Sequence, residues 1–183
     1  EIANGVLIKG YRTWQAGQRF RDNRSRNKRF TYGNQWSDRL LTSEGNIKTE
    51  FDDMLTQGKS PLTNNLMRQL VKSVVGRFRM MLKEEKRDYG ELYGLIANRN
   101  PLNELDSRGL EEFLISGSAV QRVWHDGNYA RVDNLNLNRF FINGIEDPRG
   151  WDCDIVGYLH DMTMGELIKQ LAGDDKNKAC WLR

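Results

Sequence analysis

Cysteine is almost missing from this chain. Its two copies, Cys153 and Cys180, stand far apart and form no Cys-x-x-Cys pair. That spacing argues against a disulfide framework or a zinc site and sets the expectation of reduced structural thiols in a cytosolic setting. Histidine is equally scarce: His125 adjoins a turn signal and His160 ends an apolar run beside Asp161, so neither has the clustered partners a hydrolase or nuclease site needs. Long apolar runs are absent too. None approaches the roughly 18 residues of a membrane span, and no signal-peptide pattern opens the chain, so a non-secreted protein without a membrane partner is expected. The chain opens at Glu1 without an initiator methionine and stops just past Trp181-Leu182, which sets the expectation of a piece of a larger protein.

What is present is polar surface. Only 38% of the 183 residues are hydrophobic while 29% are charged, a balance that suits an elongated subunit better than a compact globule. The net charge of +3 is too small to establish nucleic-acid binding. Its distribution is uneven, however. Lys9, Arg12, Arg19, Arg21, Arg24, Arg26, Lys28 and Arg29 face Asp22 alone, around the spaced large residues Val6, Leu7, Tyr11, Trp14 and Phe20. The segment 6–29 therefore reads as an exposed basic helix. Arg19, Arg24, Arg26, Lys28 and Arg29 form its candidate interaction surface.

Residues 37–60 are turn-rich and read as an irregular connection with a helical turn around Phe51–Leu55. Ser60-Pro61 supplies a cap and a first-turn proline. Leu62, Leu66, Leu70, Val74, Phe78 and Leu82 then repeat every four residues, predicting a long helix packed along most of its length. Asn100-Pro101 opens a second helix that stops at Gly117. The runs 120–125 and 128–133 flank Asp126-Gly127, the dipeptide of a two-residue type I′ hairpin. Strands are predicted at Arg139–Asn143 and Ile155–His160, with a turn at Asp147-Pro148. Thr163-Met-Gly-Glu166 is a capping box for a short helix closed by Gly173. Helices first, then a small antiparallel sheet, then a helix: the expected fold class is α+β. The expected organisation is a basic helix and connection over 1–60, a helical part over 61–118, and the sheet with its short helix over 119–183.

Catalytic and cofactor signals fail on their chemistry. Gln57-Gly58-Lys59-Ser60 resembles the end of a phosphate-binding loop, but Asp53 stands where a glycine is needed and no apolar strand precedes it. Pro61 follows where helix N–H groups should cradle the phosphate. Glu146, Asp147, Asp152 and Asp154 could hold a divalent ion for a nuclease, yet lack the alternating ligands of a calcium loop and read as solvated turn residues. Glu84-Glu85 reads as a solvated face. No cofactor, metal or enzyme activity is expected.

Several segments in order resemble the N-terminal part of tailed-bacteriophage portal proteins. They are the Arg-rich segment running into Phe30-Thr-Tyr-Gly-Asn-Gln-Trp36, Pro61-Leu-Thr-Asn-Asn-Leu66 before the long helix, and the 104–117 helix leading to Ala119-Val-Gln-Arg-Val-Trp124. After them come Val132–Asn143 and Asp154–Thr163 before the last helix. The resemblance covers about residues 11–172 and rests on the ordered set. It departs at Asn134–Asn138, where the family more usually has an Asp-Pro turn. The resemblance implies a structural subunit of a homo-oligomeric ring, a dodecamer in the full-length protein, at one vertex of the virion. That ring would form the entry and exit channel for double-stranded DNA and dock the terminase packaging motor, capsid and head-completion proteins, after assembly in the host cytoplasm. These residues would be mostly the wing, away from the channel. The alternative is a nucleic-acid-binding module using 9–29 and 68–87.

Overall fold

The computed structural model describes residues 2–41, 45–84, 90–144, 146, 147 and 149–172. The fold is α+β: seven helices and three two-stranded antiparallel sheets among those residues. The segment read as one exposed basic helix is two helices, α1 (Ile2–Ala16) and α2 (Gln18–Thr31), which meet at Gly17. At that break Arg21 Nη1 donates to the Trp14 carbonyl at 2.5 Å. A Cβ on residue 17 would stand only 3.1 Å from the same Arg21 Nη1. Glycine thus leaves room for the side chain that ties the helices together. The expectation of exposure is corrected as well: Arg21 and Arg24 are 6% and 5% exposed. Charge type alone misleads here, because the fold brings acceptors to these guanidinium groups.

The stretch expected to be irregular holds a small lobe. Strands β1 (Arg39–Leu41) and β2 (Ile47–Thr49) pair antiparallel, and α3 (Glu50–Thr56) follows directly. Three-residue strands are too short to show an alternating pattern. The predicted helical turn at Phe51–Leu55 lies within α3, where Thr49 Oγ1 accepts from Asp52 N–H. The long helix α4 (Leu66–Glu84) starts later than Ser60-Pro61 implied. Asn65 caps it instead, accepting from Arg68 N–H at 3.0 Å while its amide donates to the Thr31 carbonyl at 2.6 Å. Tertiary contact to α2 selects this cap over the local one.

Helix α5 (Gly90–Arg99) has no counterpart in the sequence reading, whereas α6 (Leu102–Ser116) ends as expected at Gly117, whose φ is 74°. The core is small. Val71 and Val75 of α4 pack on Ile115, with Leu110 of α6 beside them. Much of the α4 stripe is open, with Leu66 and Leu70 each 60% exposed or more and Phe78 and Leu82 half-buried, so packing along most of its length is not observed. Asn100, 3% exposed, joins α5 to the sheet: its amide donates to the carbonyls of Ile96 and Ala130 and its oxygen accepts from Val132 N–H.

The hairpin forms from β3 (Gln121–His125) and β4 (Ala130–Asn134), but His125 pairs with Ala130. The connection is therefore 126–129 rather than a two-residue turn. A type I′ turn needs positive φ at both central residues, and only Gly127 takes it; no described non-glycine residue does. Asp126 instead accepts from Asn128 and Tyr129 N–H. Strands β5 (Phe140–Ile142) and β6 (Val156–Tyr158) pair separately and do not extend the hairpin. Phe141 lies over Gly157, opposite it in the ladder, and reaches Gly10 of α1. Its ring occupies the space of the missing Cβ. Helix α7 (Met164–Ala172) opens with the predicted capping box: Thr163 N–H donates to Glu166 Oε2 at 2.8 Å and Glu166 N–H to Thr163 Oγ1 at 3.3 Å. Its expected stop at Gly173, Cys180, and Pro148 of the predicted turn lie outside the described residues.

Candidate functional site

Helix α2 carries the five basic residues singled out from the sequence, and the fold brings acidic partners to four of them. Arg24 donates to Glu112 Oε2 at 2.6 Å and to Asn138 Oδ1 at 2.8 Å. Lys28 pairs with the other oxygen of the same carboxylate. Arg29 pairs with Asp38, which Arg26 approaches at 3.7 Å. Arg26 also stands over the Phe30 ring. Arg19 alone is exposed without an acidic partner among the described residues. In the second basic stretch Lys72 pairs with Glu111 at 2.9 Å and Arg79 with Glu104 at 3.0 Å, while Arg68, Arg77 and Lys83 form no ion pair among the described residues. Arg24, Lys28, Lys72 and Arg79 thus fasten α2 and α4 to α6, and Arg26 and Arg29 hold Asp38 ahead of β1.

The carboxylates respond to this company. Burial acts to raise the Glu111 pKa, but hydrogen bonds from Lys72 and Tyr32 outweigh it and hold the group below the ordinary glutamate range. Partial burial, and then the hydrogen bond to Glu111, push the Tyr32 hydroxyl up to about 12. At the hairpin, Arg131 first and the N–H groups of Asn128 and Tyr129 next hold Asp126 down to about 2.

The remaining sequence candidates serve local structure. Gly58 has φ 72° just past α3, and Lys59 donates to Gln57. After α3 the next helix begins only at Leu66, so there is no N-terminal cradle for a phosphate at this loop. His125 Nδ1 accepts from Gly127 N–H, and His160 packs edge-on to Tyr158. Asp152 accepts from the N–H groups of Glu146 and Asp147, while Asp154 pairs with Lys9. Among the described residues no three His, Cys, Asp or Glu side chains converge as metal ligands.

Two features have no precedent in the sequence reading. The first is an apolar groove of about 1440 Å³, lined by Phe20, Phe78, Phe113, Leu137 and Phe140. Arg21 borders it, its guanidinium 4.0 Å from the Trp14 ring centroid and hydrogen-bonded to the Trp14 carbonyl and to Gln18. Both acceptors are neutral. This buried charge has no carboxylate among the described residues. The second feature is large apolar side chains facing outward: Leu66, Met67, Leu70 and Met81 on α4, and Leu41, Ile47, Phe51 and Leu55 on the lobe. No protein-family model, curated protein or solved structure matches the chain.

Proposed function

We propose that this chain is a structural subunit of a phage portal ring, working through assembly and without a reaction of its own. The supporting observation is how the fold disposes of its side chains: basic residues are taken up by Glu112, Asp38, Glu111 and Glu104, while large apolar ones remain outside. Outward apolar surface of this extent marks contact with other protein. The resemblance of its ordered segments to portal proteins gives that contact its class. Like subunits close a ring at one capsid vertex, through head-to-tail interfaces, and double-stranded DNA, terminase, capsid and head-completion proteins are the further partners. Nucleic-acid binding through 9–29 and 68–87 is the weaker reading, because Lys9, Arg24, Arg26, Lys28, Arg29, Lys72 and Arg79 are engaged by carboxylates within the chain. Negative-stain electron microscopy of the complete protein tests the proposal. Closed rings are expected; monomers or isologous dimers would overturn it.

A further inference from the structure

The groove and the lobe carry opposite, uncompensated charges beside apolar surface. Arg12 and Arg21 border the groove, and neither has a carboxylate within ion-pairing reach among the described residues. The acidic lining residue Asp106 accepts a hydrogen bond from Gln121. On the lobe, Glu50, Asp52 and Asp53 fill the first turn of α3. None of the three has a cationic partner among the described residues: Asp52 is held by Thr49 and Asp53 by Gln57. Phe51 and Leu55, 44% and 52% exposed, lie beside these carboxylates. The lobe packs chiefly on itself, β1 on β2 and β2 on α3, so its apolar face is left without cover from the other described residues.

The geometry points to one occupant: the groove of one chain receives the β1–β2–α3 lobe of a second copy. Phe51 and Leu55 enter among Phe20, Phe113 and Phe140, and the α3 carboxylates meet Arg12 and Arg21. Burying a guanidinium without a counter-charge is costly, and the arriving carboxylates supply one. Because groove and lobe are different surfaces, the contact is heterologous and propagates head to tail. The inference rests on the ring-subunit reading and gives that reading a contact surface.

Sedimentation velocity of the full chain, with reversed charges on each surface, provides the test. Glu50→Lys with Asp53→Lys on the lobe, or Arg12→Glu on the groove, is expected to weaken self-association by about tenfold or more, as for close interfacial charge pairs. Mixing the two variants restores it to near the wild-type value, since each reversed surface then meets its complement. Wild-type chain that stays monomeric, reversals without effect, or a mixture that stays apart would each overturn the contact. So would loss of association on Leu70→Asp with none on lobe reversal, which would place the contact on α4. Circular dichroism melts check folding. Should a reversal unfold the chain, Glu50→Gln with Asp53→Asn and Arg12→Gln take its place, with weaker association again expected and unchanged association again overturning the contact. Rings of the complete protein that survive lobe reversal would remove this contact and leave the ring reading intact. Absence of rings in the unaltered complete protein would remove the ring reading, while sedimentation still reports on lobe and groove.

Discussion

Glu112 accepts from two cations on consecutive turns of α2: Arg24, whose side chain is 5% exposed, and Lys28. Removing one member of a buried pair leaves the other charged and unmatched. Since Glu112 is itself 30% exposed, Glu112→Gln is expected to cost about 2 kcal/mol, read as a lower urea midpoint at unchanged slope. Asp126 makes a separate prediction in acid. Its folded pKa of about 2 lies below the 3.8 of an ordinary aspartate, so what it contributes is complete above about pH 4. That contribution is lost as pH falls toward 2. A carbon NMR titration of its carboxyl should show the low midpoint, and Arg131→Gln should move it back toward 3.8. The basic residues were legible as a cluster in the sequence, but their partners were not: Glu112 and Asn138 lie 88 and 114 residues from Arg24, and single-sequence spacing carries no information about contacts that distant.

Local signals decided which elements could be anticipated. Thr163 and Glu166 cap α7 through bonds confined to four residues, and Gly117 ends α6 through its own φ; both could be read directly. The α4 start could not. Asn65 wins over Ser60-Pro61 because its amide also reaches Thr31 at the end of α2. Asn65→Ala should therefore cost about 1 kcal/mol for the cap, with more for the lost tie, and raise amide exchange in the first turn of α4 and at the end of α2 together. Exchange confined to α4 would separate the two roles. The sheets show the same limit: strands of three residues with one glycine, such as β6 against Phe141, hold their register through a ring packed across the ladder, a cue that lies outside either strand's own pattern.

For the molecule as a whole, the division between charge used internally and apolar surface left outside predicts weak, salt-tolerant contact with duplex DNA. Fluorescence anisotropy should give a slope of log affinity against log salt no steeper than about −2, the value for roughly two neutralised phosphates. A steep slope would revive the basic-segment reading. The α+β class was visible in element order, because that order depends on local periodicity; the three separate sheets and the groove depend on how elements meet. Those meetings concentrate on α6. Its Glu112 holds α2, Leu110 packs beside Val71 and Val75 of α4, and its Leu105 carbonyl accepts from Asn134 of β4. Mechanically, α6 is therefore a shared axle: a push on the hairpin, on the N-terminal helix pair or on α4 is felt first by the same fifteen residues. Load applied at one edge of the chain would be handed to the other edges largely through this one rod, so its stiffness helps set how far neighbouring copies could feel one another move.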